Sequence, residues 1–236
     1  MRKFLFDVDG TLTPSRKRMD GNFALWFADF CAKNDVYVVT GSDRTKTMQQ
    51  LGEYITFKCK RVYQCSGNEV WEQDTKVRTS PNVAMPRSLR NFMLNQIQMS
   101  EFVSDTNRWL EERQTCWNLS NVGRGCSEDA RRRYIEWDKA TNERMTIAQN
   151  INENFPNWTA LVGGETGIDI TPKGFTKEQV ALDFDPAIDE LLFFGDQTGE
   201  GGNDHDLFKY VENNFPRGKS YAVESWKDTW RILKGL

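Results

Sequence analysis

Two aspartates one residue apart, Asp7 and Asp9, close the short apolar segment Lys3–Val8 and open into Gly10-Thr11-Leu12-Thr13. Carboxylates at positions i and i+2 point to one side only while the backbone is extended. Gly10 lets the chain turn immediately afterwards. Such a pair can hold one hard cation and still divide the labour of phosphoryl transfer. One carboxylate attacks phosphorus and becomes an aspartyl phosphate, while the other moves protons. Aspartates also begin turns and cap helices. The buried strand before this pair and the Gly-Thr after it favour the chemistry.

Three further positions belong with the pair. Phe193-Phe194-Gly195-Asp196 ends another apolar run with an acid, and Gly201-Gly202-Asn203-Asp204 follows in the same loop. Parallel strands bring their carboxyl ends to one sheet edge, so Asp196 can meet Asp7 there. The carboxylates of Asp7 and Asp196 and the carbonyl of Asp9, completed by water and phosphate, suit octahedral Mg²⁺. Thr40 ends the β-branched run Val36–Val39 and can donate a hydrogen bond to a transferred phosphoryl group. Lys177 can neutralise charge beside the nucleophile. The catalytic candidates are therefore Asp7, Asp9, Thr40 and Lys177, and the metal candidates are Asp7, Asp9 and Asp196.

The elements that must position these groups follow from periodicity. Lys3–Val8 reads as a strand buried on both faces. Asn22–Lys33, with Phe23, Phe27 and Phe30 at helical spacing, reads as an amphipathic helix. Val36–Val39 is a second strand, and a polar helix carrying Met48 and Leu51 follows. This alternation predicts a parallel α/β layer. From Ser80-Pro81-Asn82 to about Gly174 the character changes: a helix over Ser88–Met99, a strand over Trp109–Leu119, a long charged helix after Ser127, and the strand Gly167–Thr171. The α/β pattern then resumes with a helix over Lys177–Leu182 and strands at Glu190–Phe194 and Ser220–Val223. The expected fold is α/β: a Rossmann-like core of residues 1–80 and 176–236, interrupted by an α+β cap of residues 81–175.

Composition narrows the classes further. At 236 residues the chain suits a core with one inserted lobe. A net charge of −3 gives no general attraction to nucleic acid or anionic lipid, so neither is an expected partner. No apolar run reaches the roughly 20 residues that span a bilayer. Carboxylates as early as Asp7 do not fit a signal peptide. The five cysteines form no Cys-x-x-Cys pair, which favours reduced thiols and a cytoplasmic location.

In residues 86–175 the basic side chains are nearly all arginine, whose rigid fork suits phosphate. Arg132 and Arg133 read as a solvated helix face among acids. Arg113, Arg124 and Arg131 are different, because they lie in and beside the segment Asn118-Leu-Ser-Asn-Val-Gly-Arg124. The set of Asp-x-Asp-Gly-Thr, Thr40, Lys177 and Gly-Asp196 resembles the haloacid dehalogenase superfamily of phosphotransferases. The cap segment resembles that of eukaryotic-type phosphomannomutases. Further similarity lies in Leu12-Thr13-Pro14-Ser15-Arg16, in Gly163-Gly164-Glu-Thr-Gly167-Ile168-Asp169-Ile170-Thr-Pro172, and in Phe-Phe-Gly-Asp196 through His205.

That resemblance implies a mutase that interconverts hexose 6-phosphate and hexose 1-phosphate, with Mg²⁺ as cofactor and hexose 1,6-bisphosphate as activator. It implies that Arg124 and Arg131 grip the phosphate that is not transferred. Arg113, Asp169, Arg16, Asn118 and Gly167 would then surround the sugar and its phosphate. It also implies a homodimer formed through the caps. On the strand, Asp169 shares a face with Gly167 while Ile168 and Ile170 face the cap core. The family usually has serine at Gly167, and its monovalent-ion loop is not recognisable in Lys209–Gly218. His205, the only histidine, is expected to be structural, since Asp9 already serves as acid and base. A sugar-phosphate phosphatase is the alternative, because the core motifs fit both and only the cap arginines favour the mutase. A non-catalytic sugar-phosphate binder would have lost Asp7, Asp9 or Asp196, and all three are present.

Overall fold

A computed structural model describes residues 1–236. Its larger sheet has seven strands: β1 (Arg2–Phe6), β2 (Asp35–Val39), β3 (Arg61–Gln64), β4 (Glu69–Glu72), β5 (Thr75–Thr79), β10 (Glu190–Gly195) and β11 (Lys219–Ala222). The order across it is β11-β10-β1-β2-β3-β4-β5. The five strands from β11 to β3 run parallel, while β4 and β5 add an antiparallel edge. This edge was not visible in the sequence, because β5 is exposed along its whole length and carries no apolar alternation.

Strand β1 is central because its residues bury on both faces. Phe4 and Phe6 pack on one side with Phe23 and Phe27 of α1 (Gly21–Lys33). Leu5 packs on the other with Phe193, Leu207 and Val211. Continuous apolar runs of this kind are what a sheet covered by helices on both sides requires. Asp20 caps α1 by accepting from the Asn22 and Phe23 amides at 3.0 and 3.1 Å. Asp43 caps α2 (Arg44–Leu51), which the short α3 (Glu53–Lys58) follows, by accepting from the Lys46 amide at 2.8 Å. The connection from β1 runs to β2 on one side, while β10 lies on the other. The carboxyl end of β1 is therefore a topological switch point, where open α/β sheets bind ligands.

The second sheet is antiparallel, in the order β6-β7-β9-β8. Its strands are β6 (Leu110–Arg113), β7 (Cys116–Leu119), β8 (Trp158–Gly163) and β9 (Gly167–Pro172). The single strand expected over Trp109–Leu119 is a hairpin. It reverses at Gln114-Thr115, where Thr115 adopts a positive φ of 50° without glycine or asparagine to announce it. Strand β8, which precedes β9 in the chain, is a further element that the expected pattern lacks.

One face of this sheet carries Trp117, Leu119, Ile168 and Ile170, which pack on Leu89 and Met93 of α4 (Arg87–Met99) and on Ile147 and Ile151. The charged helix expected after Ser127 is two helices, α5 (Glu128–Thr141) and α6 (Glu143–Asn154). They are divided at Asn142, which takes the left-handed conformation (φ 53°, ψ 32°). Buried Asp138 holds the joint by accepting from the Arg144 amide and Nε, each at 2.8 Å. The helix expected at Lys177 is a 3₁₀ turn, Lys177–Asp183, that drives Val180 and Ala181 into the core. The core is completed by α7 (His205–Asn214) and α8 (Trp226–Leu233), and no helix is long and apolar enough to cross a membrane.

Because Ile170 is fully buried between the cap sheet and its helices, Ile170→Ala should cost about 2–5 kcal/mol. A lower urea midpoint measures that loss. An unchanged midpoint would mean that the cap sheet is not packed in this way.

Candidate active site

None of the residues lining the cleft between the two sheets is hydrophobic. Its floor is the carboxyl edge of the parallel sheet. Asp7 leaves β1 and is 4% exposed. Lys177 Nζ lies 2.6 Å from Asp7 Oδ1 and 2.8 Å from Asp204 Oδ1. The remaining Asp204 oxygen accepts from the Gln197 amide at 3.1 Å. Asp196 accepts from its neighbour Gln197 at 2.8 Å. Gly10, at φ +90°, makes the turn beside it, where a Cβ would stand 2.5 Å from Asp196 Oδ2.

Asp7, Asp196 and Asp204 bring one ligand oxygen each to within 4.8 Å of one another. Three carboxylates face a single ammonium, and the imbalance appears in the ionisation of Asp7 and Asp196. Burial pushes the Asp7 carboxyl well above the usual range, with Asp204 and Asp196 adding to the effect against the opposing pull of Lys177. Burial and Asp204 raise Asp196 to about 7. Burial alone would lower Lys177, but Asp204 and Asp7 reverse this and raise it. Excess negative charge on hard oxygen donors is the setting that suits Mg²⁺. Asp204 belongs to the loop motif Gly201-Gly202-Asn203-Asp204, whose spacing gives no side-chain direction. Only the fold shows that it turns inward onto Lys177.

Asp9 is turned differently. Its Oδ1 accepts from the Arg16 amide at 2.6 Å and from Gln50 Nε2 at 3.0 Å, and Lys46 Nζ lies 3.6 Å from Oδ2. Burial would raise this carboxyl, but Lys46, the Arg16 amide and Gln50 together hold it below the ordinary carboxylate value. The Asp9 carboxylate thus stands apart from the acidic cluster. Thr40 is buried at the end of β2, its hydroxyl accepting from the Ser42 amide at 3.1 Å and lining the cleft. Lys46 and Gln50 were not found from the sequence. Their spacing of four on α2, one helical turn, was the available signal.

The cap forms the roof. Because Ile168 and Ile170 point into the cap core, Asp169 points to the cleft, directly across from Asn118 on the neighbouring strand. Asn118 Nδ2 donates to Asp169 Oδ1 at 2.7 Å, and Asn203 Nδ2 reaches Asp169 Oδ2 from the core at 3.0 Å. At Gly167 a Cβ would meet Asn118 Nδ2 at 2.6 Å, so Asn118 fills the space where a side chain would stand.

Arg113 bonds to the Gly41 carbonyl and lies 3.7 Å from Asp169. Asp169 and Glu111 raise its pKa against the effect of burial. Arg124 bonds to Asn118 Oδ1, and Glu111 Oε2 sits 2.7 Å from Arg113 and 2.8 Å from Arg124. The buried Nε atoms of Arg113 and Arg124 donate to nothing in the chain. Arg131 donates to Thr166 Oγ1 and, across the interface, to Ser15 Oγ, each at 3.1 Å. Arg16 is lowered by burial and then by Arg131, a repulsion that an anion between them would relieve.

Cap and core are also joined through backbone, the Val162 amide donating to Gly201 at 2.8 Å and the Asn203 amide to Val162 at 2.9 Å. His205 Nδ1 lies 2.8 Å from the Thr198 carbonyl in the acidic loop. Lys209–Gly218 forms the end of α7 and a turn.

A family model described as eukaryotic phosphomannomutase matches residues 26–236. The chain belongs to the eukaryotic phosphomannomutase family. It is 30% identical to a phosphomannomutase of Arabidopsis thaliana, over 98% of this chain and 95% of that one. It is 32% identical to one of Triticum aestivum, over 98% and 94%. Solved structures share the fold at lower identity. An IMP-bound Plasmodium falciparum IMP-nucleotidase has a TM-score of 0.62 at 16% identity, covering 99% of this chain and 67% of that one. The C-terminal domain of a C. albicans trehalose-6-phosphate phosphatase has 0.60 at 16%, covering 100% and 92%. The likeness to both concerns the fold alone.

A cation at this acidic cluster must displace the proton that Asp196 holds below about pH 7. Mg²⁺ affinity measured by calorimetry should therefore weaken by up to about tenfold per unit as pH falls from 7 to 6. An affinity constant across that range would mean that Asp196 is not a ligand.

Proposed function

We propose that the chain is a phosphomannomutase that interconverts mannose 6-phosphate and mannose 1-phosphate, and glucose phosphates as well, through an aspartyl phosphate and a hexose 1,6-bisphosphate. The observation that carries this reading is a polar cleft with a buried, lysine-paired aspartate at one end and guanidinium groups at the other. A substrate with two anionic ends suits both.

In this reading Asp7 attacks one phosphorus of the bisphosphate, and the bond from that phosphorus to the sugar oxygen breaks. Asp9, ionised at rest, takes the proton from a sugar hydroxyl that attacks the aspartyl phosphate, and it returns that proton to the leaving oxygen when the bisphosphate phosphorylates Asp7 again. Lys177 holds Asp7 in position and offsets charge, and Thr40 donates its hydroxyl hydrogen to a phosphoryl oxygen. Asp7 and Asp196, with the Asp9 carbonyl, would hold Mg²⁺, and Asp204 stands beside them. Bound there, Mg²⁺ supplies electrostatic shielding of the phosphoryl oxygens.

Arg124 and Arg131 anchor the phosphate that is not transferred, while Arg16, Arg113, Asn118, Gly167 and Asp169 surround the sugar and its phosphate. Core residues 1–80 and 176–236 provide the chemistry, and cap residues 81–175 provide the anchor. The contacts of Arg113 with Gly41 and of Arg131 with Ser15 draw the lobes together, which limits water attack on an aspartyl phosphate. A cytoplasmic homodimer joined through the caps fits this reading, and the cap exposes apolar Met99 and Val103.

The test is a coupled assay with mannose 1-phosphate, Mg²⁺ and catalytic glucose 1,6-bisphosphate, repeated with glucose 1-phosphate. Formation of the 6-phosphate is the expected result. Release of inorganic phosphate with no 6-phosphate would reject the mutase in favour of the phosphatase. Asp9→Asn should lower kcat by about 10²–10⁴-fold, the usual contribution of a general acid–base. Asp7→Asn should abolish turnover.

A further inference from the structure

Besides Asp169, which lies 3.7 Å from Arg113, two glutamates touch Arg113, Arg124 and Arg131, and they do so from different sides. Glu111 takes Arg113 and Arg124 through one oxygen but does not line the cleft. It holds those guanidinium groups from behind. Glu165 lines the cleft and puts Oε2 2.7 Å from Arg131 Nη2. It therefore meets its arginine on the side from which a ligand arrives.

We infer that Glu165 is an internal competitor for the phosphate anchor: its carboxylate occupies Arg131 until a sugar phosphate displaces it, and so limits how tightly the cap holds substrate. The inference rests on the proposed reading of Arg131 as part of that anchor.

The geometry lets the exchange happen by side-chain rotation alone. Glu165 is 47% exposed and Arg131 17%, so the acid can swing into water while the guanidinium stays. Arg131 remains positioned by Thr166 Oγ1 and Ser15 Oγ when the carboxylate leaves. The turn that bears Glu165 is fixed independently, since Arg144 Nη1 donates to the Gly164 carbonyl at 2.9 Å. A carboxylate left beside a bound phosphate also repels it. Both effects weaken binding. That suits a reaction whose bisphosphate must leave the arginines, turn end for end and be gripped again. An anchor without a competitor would hold the intermediate too long.

Binding of mannose 6-phosphate to the full chain with Mg²⁺, without bisphosphate activator, is measured by calorimetry, with mannose as the unphosphorylated control. A half-exposed ion pair is worth up to about 1 kcal/mol, so Glu165→Gln should tighten binding about threefold to fivefold. The gain should vanish when Arg131→Gln is added, and KM in the coupled assay should fall with it. Binding by the variant that equals or falls below wild type overturns the competitor role. If wild type binds no mannose 6-phosphate while melting cooperatively, the anchor reading fails and the inference with it. Wild type and Glu165→Gln binding equally well removes the inference alone.

Discussion

The buried ammonium of Lys177 is the contact on which this site depends. It comes from a residue reached only after the chain has built the whole cap, and it joins the tip of β1 to the loop that follows β10. Without it, Asp7 and Asp204 would be two desolvated carboxylates facing each other, a state that proteins relieve by protonation or local rearrangement. In the proposed reaction a protonated Asp7 would be no nucleophile, and Lys177 opposes the effect of burial on that carboxyl. The same interaction also marks where the parallel sheet is resumed after the second sheet.

The cap works by simpler means. A strand period of two separates Ile168 and Ile170 from Asp169, and the pairing register sets Asn118 opposite Asp169. Packing of the isoleucines against α4 and α6 thus aims the polar row at the core. Glycine at position 167 lets Asn118 lie flat across that row. The break at Asn142 turns α6 so that Arg144 reaches the β8–β9 turn, fixing the backbone beside the cleft.

Much of this arrangement was legible in the residues. The apolar run ending in Asp7, the acid at Asp196 after a second run, and the alternation around Asp169 each state a position and a direction. What stayed hidden depended on contacts between distant segments or on weak local signals. The hairpin at Thr115 uses a threonine in a conformation that favours glycine or asparagine. The edge strands β4 and β5 are short and largely polar, and the 3₁₀ turn at Lys177 has a helix's composition. Asp204 lies two residues past a Gly-Gly, where spacing gives no side-chain direction. Lys46 and Gln50 sit on a polar helix whose facing surface only the fold defines.

The walls of the cleft contain no hydrocarbon side chain, and this has a thermodynamic consequence. Association there removes little oily surface from water, so the heat-capacity change should be small. Tightness must come from hydrogen bonds and Coulomb attraction, and it should slacken as background electrolyte is added. A greasy molecule finds no foothold there, which makes the recess selective before any sugar hydroxyl is read.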